Sequence, residues 1–366
     1  GQPILDTKLS SVKNKYICNA KHVILAIVIL TLIQSCKDNP YLLDLSPEAY
    51  PGAGTWLVNE SYIQWGCSQK DCIPSLSSPS FVSADSPYLS YLDDNDLVIG
   101  IKDGDDYIAF PHPILDWHEV INGSGYSISY CPLTGSAFNI ADDNGFGVSG
   151  LLYNSNLIMY DKRTDSYWPQ MSLVCAAGSR RGENLPTSKM METTWGTWRQ
   201  LHPQTLAVSS NTGYDRNYYE YPYGSYKSNN AIFFPIENSL NTLPVKSRVL
   251  AIIEEEASKA FAISNFVTFS IHHTNVGGTP IVIFGSSVHN FAMAYKTDKQ
   301  FQLKSGEISS GDLVFEDIET GSEWNIFGES TGGALTGQSL EKANSMIAFW
   351  FSVAAFYPEI EVMVLP

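Results

Sequence analysis

The residues able to do chemistry gather between positions 112 and 156. They are His112, His118 and Glu119 in HPILDWHEVIN, Cys131 in YCPLTGSAF, and Asn154 and Asn156 in YNSN. Three chemistries fit. His112, His118 and Cys131 form an N/N/S set of the kind that binds copper with a weak axial ligand such as Met159, or zinc with an open position. The spacing H-x5-H then x12-C does not choose between them. Alternatively, Cys131 is a nucleophile with His118 as base and Glu119 beside it. Asn154 or Asn156 would then orient the histidine or donate to an oxyanion. The third reading is a packed core, because cysteine and histidine are often buried.

The remaining cysteines divide by position. Export permits disulfides, and Cys67 and Cys72 in C-x4-C lie close enough to pair in a turn; the alternative is a metal pair, though no chelating company is visible nearby in the sequence. Cys175, in MSLVCAAG, reads as a buried small hydrophobe. Phosphate-loop, H-E-x-x-H, G-x-S-x-G and dinucleotide-binding signatures are missing. The loop CPLTGSAF is similar to a Rieske ligand loop, but Thr134 stands where a histidine would be needed.

The elements that must position these residues occur twice. Asp161–Trp168 reads DKRTDSYW and Asp317–Trp324 reads DIETGSEW, both D-x-x-T-x-S-x-W. Upstream, Val98–Phe110 answers Val249–Phe261, and downstream Trp195–Val208 answers Ala348–Met363. VIGIKDGDDYIAF carries a hairpin signal, and YSISYC and PIVIFG are short strand-like runs. TTWGTWRQLHP and SLEKANSMIAFWFSVAAFYP carry helix-spaced apolar residues and stop before proline, the second with Ser339 as N-cap. The expected fold is α+β, mainly β, with two pseudo-repeats sharing a core. Each repeat comprises a hairpin, strands and one C-terminal helix. The repeats span 56–211 and 231–366, joined by a Tyr-rich linker at 212–230. Within it, TGYDRNYYEYPYGSY holds six tyrosines. It reads either as a clamp across both halves or as the aromatic wall of a groove. Features found in one half only, Cys131 and His118-Glu119 among them, are the candidates for function.

Composition narrows the partners. The 366-residue chain is 44% hydrophobic and 16% charged, with a net charge of −16, and has no Lys/Arg cluster denser than Arg180-Arg181. A phosphate backbone would be repelled, so no nucleic acid is expected. Lysines precede the apolar run Val23–Ile33, which is too short to span a bilayer but suits a signal peptide. Ile33-Gln34-Ser35-Cys36 follows and resembles a lipobox. The expectation is a lipoprotein signal peptide at 1–35, lipidation at Cys36, a polar tether at 36–55, and a membrane partner through the lipid anchor. The location would be the cell envelope, facing outward or periplasmic.

These blocks resemble a bacterial and archaeal family, domain of unknown function 3179. The resemblance lies in Asp71–Pro74, FVSAD, DDNDLVIG, HPILDWHEVIN, YCPLTGSA, FGVSGLLYNSNLIMYD, TTWGTW and TGYDRNYYEYPYGSY, over roughly residues 56 to 365. It implies an exported, often lipid-anchored protein and no particular mechanism. Where the family pattern has a Gly-rich turn, this chain has WGCSQKDCIP. The leading expectation is a metal-binding (copper or zinc) or thiol-dependent site in the first half. The alternatives are a hydrolase or transferase using Cys131 and His118, and a non-catalytic binding module using the Tyr-rich segment.

Overall fold

The computed structural model describes residues 54–365, apart from 256 and 311. The expected signal peptide, Cys36 and nearly all of the expected tether lie outside the described residues. The fold is mainly β, with several sheets and three short α-helices among the described residues. No helix among these residues is long and apolar enough to cross a membrane.

One five-stranded sheet frames the first half. Its strands are Phe81–Ser83 (β1), Leu97–Asp103 (β2), Asp106–Pro111 (β3), Met191–Thr194 (β4) and Leu206–Val208 (β5), in the order β4-β2-β3-β5-β1. β2 and β3 make the expected hairpin around Gly104, whose φ of +61° suits a tight turn. Helix α1, His112–His118, follows β3 directly. It was not expected from the sequence, though Pro113 sits in its first turn, where the missing N–H costs nothing. Helix α2, Trp195–Leu201, joins β4 to β5. Thr194 caps it by accepting from the Thr197 N–H, and β5 then runs parallel to β3. Trp198 of α2 presses on β2 at Gly100, where a Cβ would come within 2.2 Å of the indole.

A four-stranded sheet frames the second half. It comprises Arg248–Glu254 (β6), Ala257–Ala262 (β7), Ser345–Phe349 (β8) and Glu361–Met363 (β9), ordered β8-β6-β7-β9. Helix α3, Trp350–Phe356, joins β8 to β9, and β9 is parallel to β7. The long helix expected from Ser339 onward is therefore corrected to one of seven residues. Residues 345–349 pair with β6 instead, because edge-to-edge hydrogen bonding overrides an apolar pattern that also suits a helix. Ser339 caps nothing; its hydroxyl accepts from Lys189 Nζ at 2.6 Å.

The halves share apolar clusters. One joins Ile99, Phe110 and Trp198 to Phe284, Tyr295 and Trp324. Another joins Cys131, Phe138 and Trp168 to Val249, Ala348 and Trp350. The two D-x-x-T-x-S-x-W boxes fold alike. Trp168 Nε1 donates to Asp161 Oδ2 at 3.0 Å, and Trp324 Nε1 to Asp317 Oδ2 at 3.1 Å. The Thr164 and Thr320 N–H groups donate to Oδ1 of the same aspartates at 2.7 and 2.8 Å. Burial raises both carboxyls, but these donors outweigh it and hold both below the ordinary range. The boxes are turn locks rather than sites.

Candidate functional site

The first-half residues singled out by type part company in space. His118, the last residue of α1, is fully buried, and both its ring nitrogens are occupied. Nδ1 lies 2.7 Å from the Pro74 carbonyl and Nε2 2.7 Å from the Tyr218 hydroxyl. Because the carbonyl can only accept, Nδ1 carries the proton and Nε2 accepts from Tyr218. Tyr218 in turn lies 2.5 Å from Thr212 Oγ1. Burial pushes the imidazole down to about 4, so it is neutral and fully satisfied.

Cys131 ends the strand Ser127–Cys131 and belongs to the core. Its sulfur accepts from the Leu157 N–H at 3.4 Å, and burial, with the Glu119 charge adding, pushes the thiol up to about 11. A buried thiol held neutral is no activated nucleophile, and its partner is not His118. Nor do His112, His118 and Cys131 make a ligand set. Among the described residues no group of three or more His, Cys, Asp or Glu is arranged to hold a metal. Met159 is buried in the strand Asn156–Asp161.

Asn154 and Asn156 are structural in their contacts. Asn154 and Ser155, with φ of 52° and 65°, make the two-residue turn between the strands Phe146–Tyr153 and Asn156–Asp161. Asn154 Oδ1 accepts from the Glu237 N–H at 2.7 Å. Asn156 donates to Thr134 Oγ1 and Gln170 Oε1, each at 2.9 Å, and accepts from the Met171 N–H at 3.0 Å. This is a closed, buried network. Cys67 and Cys72 are joined as a disulfide.

Glu119 is the unusual neighbour. It follows α1 at φ +56°, is buried, and accepts from the Tyr223 hydroxyl at 3.0 Å. Burial pushes its carboxyl up to about 8, against the Tyr223 bond and with Asp116 adding repulsion. It borders a mostly apolar cavity of about 190 Å³ with Leu133, Leu152, Tyr223 and Phe234.

A larger cavity, about 650 Å³, is lined by His112, Pro113 and Asp116 of α1. Its floor holds His112, the first residue of α1, and Glu192 of β4, both nearly fully buried. Arg248, at the start of β6, completes the floor. Glu192 Oε1 lies 3.2 Å from His112 Nε2 and 2.8 Å from Arg248 Nη2. These contacts lack hydrogen-bond alignment. His112 Nε2, both Glu192 oxygens, Arg248 Nη2 and the Tyr221 hydroxyl are buried without a hydrogen-bond partner. They make up five of the ten such atoms among the described residues, and all five belong to residues lining this cavity. Burial raises the Glu192 carboxyl, yet Arg248 and His112 outweigh it and keep the group ionised below its ordinary value. Asp116, one turn along α1, is raised by burial despite Lys227, whose Nζ lies 3.0 Å away.

The walls come from the Tyr-rich segment. Tyr218, Tyr219 and Tyr221 line the cavity with Tyr91 and Tyr130, and the Tyr130 ring sits 4.2 Å from the His112 ring. Tyr223 and Tyr226 turn the other way, onto Glu119 and the Leu133 carbonyl. The segment thus acts as clamp and wall at once. Of the floor, only His112 stood out from its residue type. Glu192 and Arg248 were missed, although a glutamate inside the apolar strand run Met190–Trp195 was a signal, since Glu is rarely buried unpaired.

No curated protein and no solved structure matches the chain. Residues 70–360 match the family model described as "Protein of unknown function (DUF3179)", and the chain belongs to that family.

Proposed function

We propose that the protein is a ligand-binding module of the cell envelope, and that its ligand is a neutral carbohydrate held in the cavity over His112, Glu192 and Arg248. The observation that carries this reading is the concentration on that floor of buried polar atoms that make no aligned hydrogen bond, Glu192 Oε1, His112 Nε2 and Arg248 Nη2 being held only by one another's charge, and Glu192 Oε2 and the Tyr221 hydroxyl also lacking a hydrogen-bond partner. Native interiors satisfy almost all such atoms, so a cluster of exceptions lining one cavity points to an outside partner. Sugar hydroxyls both donate and accept. Glu192 supplies acceptors, Arg248 supplies donors, and His112 supplies either according to its tautomer. Tyr219 and Tyr221 offer flat apolar faces with polar tips, suited to sugar rings. The volume falls in the range of small-molecule sites. The lining carries five carboxyl side chains (Asp93, Asp96, Asp116, Glu192 and Glu220) against three cations (Lys227, Lys246 and Arg248), a balance that disfavours an anionic sugar.

The envelope location rests on the sequence, where the apolar run Val23–Ile33 precedes Cys36, and membrane attachment through a lipid on that cysteine goes with it. A duplication origin for the two halves is part of the same proposal. It is supported by the paired D-x-x-T-x-S-x-W boxes and by the matching strand-helix-strand connections β4-α2-β5 and β8-α3-β9.

The test is calorimetric titration of the full chain with a panel of neutral mono- and disaccharides, beside Glu192→Gln and Tyr219→Ala variants checked for native circular dichroism. Binding in the parent that is lost in Glu192→Gln and weakened in Tyr219→Ala supports the reading. A parent that binds none of the panel at about 10 mM, weaker than any useful site, overturns it.

A further inference from the structure

A second cleft, remote in composition from the first, collects positive charge in an acidic protein. It measures about 890 Å³ and is lined by Lys102 of β2, Lys189, Lys296 and Lys342. Two of the four ammonium groups are neutralised. Lys102 pairs with Glu329 at 2.8 Å, and Lys296 with Glu254 and Glu341, each at 3.1 Å. The other two are not. Lys189 Nζ donates to the Phe327 carbonyl at 2.8 Å and the Ser339 hydroxyl at 2.6 Å. Lys342 Nζ donates to the Thr187 hydroxyl and the Ala343 carbonyl, both at 3.2 Å. Their partners are neutral oxygens, and no carboxylate pairs with either ammonium among the described residues.

The two unpaired lysines also feel their neighbours. Burial lowers Lys342 to about 8, with Lys296 adding repulsion against the attraction of Glu254. Burial likewise lowers Lys189, with Lys102 repelling it against Glu329. Holding like charges together in a half-buried cleft is unfavourable unless something answers them. A different kind of atom points the same way. The Asn139 side chain is buried, lines the cleft, and leaves Oδ1 with no hydrogen-bond partner. That oxygen accepts a hydroxyl or amine proton and cannot serve an anion.

We propose that this cleft binds a phosphomonoester of a polyol, with the phosphate between Lys189 and Lys342 and a hydroxyl of the polyol on Asn139 Oδ1. Lys189 and Lys342, whose only partners are neutral oxygens, offer a phosphate two ammonium donors, while the cleft as a whole sets four ammonium groups against the three carboxylates of Glu254, Glu329 and Glu341. Lysine answers phosphate as a point charge, without the planar fork that carboxylates favour. The cleft is far larger than an inorganic phosphate, which leaves room for the esterified body. That body can belong to a soluble sugar or glycerol phosphate, or to a lipid whose headgroup is the same phosphomonoester.

Titration of the full chain with sn-glycerol 3-phosphate, and flotation with phosphatidylcholine vesicles with and without phosphatidic acid, separates the two sources. Lys189→Gln, Lys342→Gln and the double variant keep a donor at each position. The expected result is salt-sensitive binding to one of these probes that weakens about tenfold in each single variant and is lost in the double. Binding to the soluble probe assigns a free phosphomonoester, and binding only to phosphatidic acid vesicles assigns the lipid. Failure of both probes on folded protein overturns the proposal. So does binding that survives the double variant unchanged. Carbohydrate titration of the double variant runs in parallel, because loss of the Glu192 pocket would leave phosphomonoester binding intact and the reverse.

Discussion

The sheets around β2-β3 and β6-β7 have the same local plan and opposite chemistry. In each, a hairpin is flanked by two strands joined through a seven-residue helix, the last strand running parallel to the hairpin's second arm. The register allows position-by-position comparison. Glu192 pairs with Ile99 on β2, while Ile347 pairs with Leu250 at the matching place on β6. His112 follows Pro111, the partner of Val98, while Ile263 follows Ala262, the partner of Val249. The first sheet therefore presents a carboxylate and an imidazole where the second presents two isoleucines. After β3 the chain makes α1, bearing His112, Asp116 and His118, whereas after β7 it makes only the short turn Ile263–Asn265. A framework that is stable with isoleucine at both places does not need Glu192 or His112 for folding. Their presence in the first sheet argues for use.

The comparison predicts a hierarchy of effects. The largest belongs to what the two halves share. Asp161→Ala and Asp317→Ala each strip the acceptor from a buried indole N–H and a backbone N–H, at a cost of about 3–5 kcal/mol. Urea denaturation of the two variants should show similar losses. A large loss at one box with none at the other would break the parallel.

Next comes a group that only the first half has. Glu119 is protonated in the fold up to about pH 8, but ionises near 4.5 when unfolded. Between those values the folded state holds the extra proton, so this group's contribution declines as pH rises from 4.5 to 8 and is constant above. The decline amounts to a few kcal/mol in order of magnitude. His118 acts oppositely and lower, adding stability as pH rises from about 4 to 6.5. Chemical denaturation of the parent and Glu119→Gln between pH 6.5 and 8 isolates Glu119. The parent should lose stability relative to the variant across that range, and parallel curves would show that the carboxyl is not protonated.

The smallest effect on stability comes from making the first sheet resemble the second. The triple change His112→Ile, Glu192→Ile and Arg248→Leu, which removes the whole charged floor, should change stability by only about 1–2 kcal/mol in either direction, because well-packed apolar residues replace a buried ion cluster at little cost. Glu192→Ala alone, which leaves Arg248 and His112 facing a hole, should cost about 3 kcal/mol or more. Thermal denaturation of both variants checks the contrast. A triple variant less stable than the single alanine variant would show that the floor is structural.

Some of this was legible along the chain. Alternating apolar runs around Lys102–Asp106 placed a hairpin, and the two matched D-x-x-T-x-S-x-W boxes marked a feature common to both halves. The C-x4-C spacing brought Cys67 and Cys72 within reach. These features depend on neighbours a few residues apart, where turn chemistry and strand alternation leave few alternatives. The stretch Ser345–Phe356 shows the limit. Its apolar spacing suits a helix throughout, yet its first five residues became a strand because β6 offered a partner edge.

The candidate site was legible only in fragments. His112 and the tyrosines of Thr212–Tyr226 were visible by type, but so were His118, Cys131 and Asn156, which the fold satisfied internally. A residue's reactivity is set by what is left unpaired after packing, and pairing is a long-range property. Glu192, Arg248 and His112 are separated by scores of residues, and they meet only because β4 and β6 bring their ends to α1. The four lysines of the second cleft are scattered from 102 to 342, and no window of sequence holds more than one of them. Local pattern was thus sufficient for the β2-β3 hairpin, the reach of Cys67 to Cys72 and the family resemblance, whose signals each lie within short stretches of chain. Which charges share a cavity, and which are answered there, follows from strand pairing across the whole chain.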